Sequence, residues 1–305
     1  MGNIGRRHLQ AVSRLRCFEK ILCCDINQNA LDGAVAFCRK NTLPLAQLEL
    51  TKDLNSVLKG ITRETIVIVA TTALGRNKLL TKILKRKPYA ILAEKPLCQN
   101  KREYQEVMRL SKANRVPIYV NFSRHMYDFY QDIYKVLQKT KEKSLTAFFS
   151  GGIACNGIHL LELATWLLRA KTYRIVSSKK AKVYETKRKG FHDFSGEMAV
   201  KFDGGNGCFL KAAHKQRPFS IEISSPGHEF KIYETDQKMV HVNGTGKAAT
   251  DNIRVPFVSQ LTDKAINRLI NRKIPDLPDI HQSFLAHQIL FDYMKRHKLK
   301  HINIT

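Results

Sequence analysis

Long apolar runs are missing from this sequence, and no apolar core follows the basic pair Arg6-Arg7 near its start. A membrane-spanning helix needs roughly 18 to 20 consecutive apolar residues, and a secretory leader needs a shorter apolar stretch behind its basic start. Neither is met, so the expected location is cytoplasmic. Paired C-x-x-C spacing is also missing. The seven cysteines are scattered, which argues against a disulfide framework or a structural zinc site and reads as small buried apolar residues in a reducing compartment. His192, His214 and His241 have no metal-ligand spacing, and no metal is expected. Acidic residues are scarce: 26 Asp and Glu stand against 52 Lys and Arg, a formal charge of +26. Such a potential attracts anionic ligands, including dinucleotides and nucleotide-activated sugars, and favours nonspecific contact with nucleic acid or anionic lipid. The basic residues nevertheless stand in short clusters such as Lys85-Arg86-Lys87 and Lys187-Arg188-Lys189, with no helix-turn-helix or zinc-finger signature. Solvated surface is the expected role of each cluster, and nucleic acid is not the expected partner.

What is present reads as globular. At 305 residues and 43% hydrophobic composition the chain can bury a substantial core, most simply in two domains, residues 1–121 and 122–305. The first alternates strand and helix. Strands are expected near 21–24, 45–50, 65–70, 89–93 and 117–121, with helices between them. The run Thr65-Ile66-Val67-Ile68-Val69-Ala70 is continuously apolar, as a parallel strand covered on both faces should be. Repeated βα units of this length specify a doubly wound parallel sheet, an α/β fold of the Rossmann type. Beyond Asn121 the rhythm changes. After two helices, residues 174–242 read as successive strands in which Phe219, Ile221 and Ile223 alternate with polar neighbours, the mark of a sheet with one wet face. Two further helices and a short terminal strand at 302–304 complete an α+β domain built on a largely antiparallel sheet.

The sequence opens on Gly2-Asn3-Ile4-Gly5, the last two glycines of a G-x-G-x-x-G fingerprint with no strand ahead of them. Such glycines bring helix-start amides to a pyrophosphate when a buried strand delivers the chain to the turn. The expectation is a doubly wound domain clipped at its first strand, either because the true start lies upstream or because part of the cofactor site has been lost. Asp25 follows Gly5 by about twenty residues, at the end of Ile21-Leu22-Cys23-Cys24, where a carboxylate accepts hydrogen bonds from a ribose 2′-hydroxyl and repels a 2′-phosphate. NAD is therefore favoured over NADP.

Three stretches in order carry a family resemblance: Ile68-Val69-Ala70-Thr71-Thr72, then Ala93-Glu94-Lys95-Pro96-Leu97, then Gly157-Ile158-His159-Leu160-Leu161-Glu162. Over nearly its whole length the chain resembles the Gfo/Idh/MocA oxidoreductases, named for glucose-fructose oxidoreductase and inositol dehydrogenase. The resemblance implies an NAD(P)-binding domain followed by a C-terminal α+β domain, action on sugars, polyols or related compounds, and homo-oligomerisation through the open sheet face. A nucleotide-linked sugar used in surface polysaccharide synthesis is one expected substrate. It also implies that Lys95 lies near both nicotinamide and substrate and acts together with His159.

The residue types suit that chemistry. Oxidising a secondary alcohol requires a base for the hydroxyl proton, and a histidine titrates near neutrality. A lysine at the end of a parallel strand stands where doubly wound folds bind ligands, and its ammonium stabilises charge on a substrate oxygen. His159 and Lys95 are the catalytic candidates. Gly2, Asn3, Ile4, Gly5, Asp25, Thr71, Thr72, Glu94 and Lys95 are the cofactor-binding candidates. Substrate binding is assigned to Arg124, Cys155, Asn156, His159 and Glu162. The family commonly has an aspartate where Cys155 stands; Glu162, one turn beyond His159, is expected to orient its ring. Arg124 would meet a phosphate or a sugar acid, and Arg76 a surface salt bridge. The alternative reading, prompted by the broken fingerprint and Cys155, is a noncatalytic member kept as a binding or interaction protein.

Overall fold

The computed structural model describes residues 1–215 and 218–305, which fall into two compact units. The first comprises Met1–Leu97, Gln105–Ser123 and Pro256–Ile280. Its chain runs through α1 (Asn3–Leu15), β1 (Ile21–Cys24), α2 (Gln28–Lys40), β2 (Leu48–Thr51), α3 (Leu54–Lys59), β3 (Ile66–Val69), α4 (Arg76–Leu84), β4 (Ala90–Ala93), α5 (Lys101–Asn114) and β5 (Ile118–Val120). Apolar strands joined by helical crossovers can pair only in parallel, and every ladder here is parallel.

Those strands form two sheets. β1 pairs with β2, and β3-β4-β5 makes a separate ladder. In the 3-2-1-4-5-6 order of a dinucleotide-binding fold the break falls at the place of the first strand. Burial records it: every residue of β4 and β5 is buried, whereas Leu22 on β1 is exposed and Ile66, Val67 and Ile68 on β3 are only half-buried. The β1-β2 pair is held by side chains instead. Leu9 of α1 joins Cys23, Ala34, Cys38 and Leu43 in one buried cluster, with Met1, Ile21 and Leu48 packed against it.

The chain does not divide linearly at 121/122. The change near Ser123 is close to that boundary, but α8 (Val258–Ile270) lies in the first unit and packs on α1. Its buried stripe of Leu261, Ala265, Ile266 and Leu269 supplies the apolar cover, and Thr262 Oγ1 meets His8 Nδ1 at 2.8 Å.

The second unit comprises Cys98–Tyr104, Arg124–Val255 and His281–Thr305. It contains α6 (Asp128–Leu137), β6 (Ser144–Ser150), a π-helical turn (Gly152–Gly157), α7 (Ile158–Leu167), β7 (Tyr173–Glu185), β8 (His192–Phe202), β9 (Gly207–Ala213), β10 (Ser220–Ser225), β11 (His228–Tyr233), β12 (Lys238–Asn243), β13 (Ala248–Asn252) and α9 (Phe284–Arg296). Eight strands make one sheet in the order β13-β12-β11-β10-β6-β9-β8-β7, antiparallel except where β6 meets β9. The period-two reading holds at β10, where Ile221 and Ile223 are buried. α9 covers β7 and β8: Tyr293 stacks on Phe194 with centroids 5.5 Å apart and its hydroxyl donates to Lys179 O. The expected terminal strand does not form. Gln99 takes a strand's part there, its amide accepting from Ile304 N at 2.9 Å and donating to Ile304 O at 2.7 Å. Among the described residues no helix is long and apolar enough to cross a membrane.

Candidate active site

The carboxyl ends of parallel strands gather ligand-binding groups because the helices that follow present their unpaired amides there. In the first unit β1 leads to Asp25, β3 to Thr71 and Thr72, and β4 to Glu94 and Lys95. α1 starts beside the first two: a Cβ placed on buried Gly5 would come within 3.8 Å of Ala70 Cβ, and the Met1 ammonium lies 2.8 Å from Asp25 Oδ2. Gly2, Asn3 and Ile4 are exposed around that helix start. Burial raises the Asp25 carboxyl, but the Met1 ammonium and the Asn27 amide outweigh it and hold the group below the usual range. Two residues that periodicity did not single out stand nearby in sequence. Ile26 is 90% exposed and Leu74 49%, giving apolar surface of the kind a purine ring covers. A helix start for phosphates, a carboxylate for ribose and apolar flanks together fit NAD.

Glu94 is held from two sides. His8 Nε2 lies 3.0 Å from its Oε1, and Asn121 Nδ2 donates to the same oxygen at 2.6 Å. Lys95, half-buried, follows it and precedes Pro96 through a cis peptide. Arg76 corrects its expected role. It is 2% exposed rather than a surface residue, and its guanidinium donates to the carbonyls of Thr71, Glu94 and Pro96. Carbonyls left over at two strand ends need donors, and a planar fork reaches several at once. The bonds to Glu94 and Pro96 flank Lys95, so Arg76 fixes the backbone that carries it.

In the second unit the turn before α7 is shaped by Asp193. Its carboxylate accepts from Ala154 N at 2.9 Å and Cys155 N at 3.1 Å. A Cβ on Gly152, at φ +79°, would collide with that carboxylate, so glycine is required there. Cys155 is therefore half-buried on a turn whose acid comes from β8 and is spent on backbone amides. Beyond the turn, a cavity of about 280 Å³ brings together Arg124, Asn156 and His159, three of the five substrate candidates. Its remaining walls include Ser150, Phe219, Glu234 and Thr235. Glu162 is 2% exposed, and its Oε1 lies 2.7 Å from Nε2 of His125, whose ring stacks on Trp166 at 4.0 Å. Its pairing is thus with His125, a residue not singled out in the sequence. Arg124 is also paired. Its Nε and Nη2 donate to the two oxygens of Glu234 at 2.8 and 2.6 Å, and Tyr130 Oη donates to Oε1 at 2.8 Å. The ring of Phe219 lies 5.7 Å from the Arg124 guanidinium. Nothing in the sequence links Glu234 to Arg124, 110 residues earlier; only the fold supplies that contact.

The family model described as "Oxidoreductase family, NAD-binding Rossmann fold" matches residues 1–122. No curated protein matches the sequence. Solved structures do match its fold. An NAD binding oxidoreductase from Klebsiella pneumoniae superposes with a TM-score of 0.76 at 13% identity, covering 97% of this chain and 95% of that one. A UDP-N-acetylglucosamine 3-dehydrogenase, GnnA from Acidithiobacillus ferrooxidans, gives 0.75 at 11% identity over 98% and 96%. An oxidoreductase from Agrobacterium radiobacter, in complex with NAD+, L-tartaric acid and magnesium, gives 0.74 at 12% identity over 98% and 94%.

Proposed function

We propose that this chain is a Gfo/Idh/MocA oxidoreductase, as the match of residues 1–122 to the NAD-binding family model suggests, and that it transfers a hydride between NAD and a sugar or polyol, with a nucleotide-linked sugar the favoured class. The observation that carries the reading is the lining of the His159 cavity. An aromatic face at Phe219, a planar amide at Asn156 and the Arg124-Glu234 pair are the groups that hold a hydroxylated ring by stacking and by paired donors and acceptors. The likeness to a UDP-N-acetylglucosamine 3-dehydrogenase supports the nucleotide-linked class, and so does the charge of +26, which attracts a diphosphate.

Bound NAD supplies the acceptor or donor of the hydride. The chain's own residues manage the rest. The backbone at the start of α1 would hold the pyrophosphate and Asp25 the ribose, with Thr71 and Thr72 at the end of β3 beside them. Oxidation breaks the O–H and C–H bonds of one alcohol carbon. In this proposal His159 takes the hydroxyl proton and the Lys95 ammonium stabilises the oxygen that becomes the carbonyl; the reverse direction returns the proton from His159. A second reading, binding without turnover, is favoured by Cys155 at the position where the family commonly has an acid.

Titration with NADH, followed by a panel of sugars and nucleotide sugars, tests both. NADH should bind, and at least one substrate should be turned over. Lys95→Ala and His159→Ala should each lower turnover by about 10² or more while the circular dichroism spectrum stays unchanged. NADH binding with no turnover across the panel would support the second reading.

A further inference from the structure

The His159 cavity contains a buried arginine whose charge is already spent. Arg124 and Glu234 are 14% and 11% exposed, and the guanidinium uses Nε and Nη2 on both carboxylate oxygens. Tyr130 adds a third bond to that carboxylate. Burial works against the charge on Arg124, and Glu234 more than restores it. The cavity therefore carries one fixed positive and one fixed negative charge side by side. A lone guanidinium would be a natural seat for a carboxylate. Here an incoming carboxylate would find the fork occupied and would approach a like charge with little water between them, which disfavours its entry. An uncharged hydroxylated ring meets no such penalty. It can accept from Arg124 Nη1, which stands outside the fork, and donate to Asn156 Oδ1, since Asn156 commits its Nδ2 to Ser150 O at 2.9 Å.

We infer that Glu234 sets the charge selectivity of this cavity: paired with Arg124, it admits a neutral sugar ring and rejects the corresponding uronic acid. The inference rests on the sugar-binding reading above and adds the residue that decides which sugars enter.

A matched pair isolates the effect. UDP-N-acetylglucosamine and the uronate of the same nucleotide sugar share the uridine diphosphate and differ at the ring's C6. Calorimetric titration of both into the full chain with NAD present should give at least about tenfold tighter binding of the neutral sugar. Glu234→Gln keeps the shape, frees the guanidinium, and should reduce that ratio by about tenfold or invert it; Glu234→Asp keeps the charge and should retain the preference. The wild-type ratio needs no variant and stands even if Glu234→Gln fails to fold. Equal wild-type affinities, or a folded Glu234→Gln protein with an unchanged ratio, would overturn the inference. If either result accompanies turnover of a neutral sugar, the oxidoreductase reading survives. Binding of neither sugar would sink the inference and the sugar-binding reading together.

Discussion

His8 on α1 and Glu94 beyond β4 are joined by a 3.0 Å bond across 86 residues of sequence. The bond ties the first helix to the residue before the candidate catalytic lysine. Burial pushes the Glu94 carboxyl up, but His8, Asn121 and Lys95 outweigh it and hold it below the ordinary value of 4.5. A carboxyl depressed in the folded state binds protons more readily when unfolded. Its contribution is present above the unfolded value and is lost as pH falls through the folded one. Denaturation measured from about pH 7 to pH 2 should show this loss setting in below about 4.5, and Glu94→Gln should flatten that limb. His8→Ala leaves a nearly buried carboxylate short of a partner and should cost about 1–3 kcal/mol at neutral pH.

Arg76→Lys should be poorly tolerated. An ammonium cannot span the three carbonyls of Thr71, Glu94 and Pro96 as a planar fork does. A loss of about 1.5–3 kcal/mol in chemical denaturation is expected. Because the clamp holds the backbone around Lys95 and contacts no substrate in the proposed reaction, kcat should fall by a larger factor than KM rises.

Gly152→Ala sets a methyl group against the Asp193 carboxylate in a left-handed backbone conformation. The backbone term alone is worth about 1–3 kcal/mol, and the displaced carboxylate would release the Ala154 and Cys155 amides as well. A lowered urea midpoint with an unchanged slope is the expected result. An unchanged midpoint would mean that the turn before α7 can rearrange freely.

Self-association through the open sheet face, which we propose on the family's behaviour, must contend with charge. A groove of about 300 Å³ there is lined by Lys179, Lys182 and Lys211, of which Lys211 is paired with Glu197 at 2.7 Å. Two copies related by a two-fold axis would juxtapose like charges. Sedimentation should therefore show association strengthening as salt rises from about 0.05 to 0.5 M, because screening shortens the repulsion. Weakening over that range would locate the contact on another surface.

The parallel strands and the Glu94-Lys95 strand end were legible because they are local: a continuous apolar run announces a doubly covered strand, and a short motif fixes its carboxyl end. The return of α8 to the first unit was not. The buried residues of α1 include His8, Gln10 and Ser13 as well as Leu9 and Ala11, so no purely apolar stripe advertises a partner. Pairings made by tertiary folding were hidden for the same reason. Glu162 looked free to serve His159 one turn away, yet it is taken by His125; Arg124 looked free for an anion, yet Glu234 holds it. Spacing along a helix says which residues can meet, and only the packed fold says which do.

The division of the first unit into two ladders has a consequence for ligand affinity. β1 and β2 form a two-stranded ribbon, a size with little independent stability, and it bears Asp25. Among the described residues no backbone ladder joins this ribbon to β3, so its amide hydrogens should exchange ahead of those of β3-β4-β5. In the proposed binding mode Asp25 holds NAD only while the ribbon is docked, so the apparent affinity would be the intrinsic one reduced by the fraction of molecules in which it is docked. In that mode, whatever orders the ribbon would tighten the cofactor's grip by the same factor.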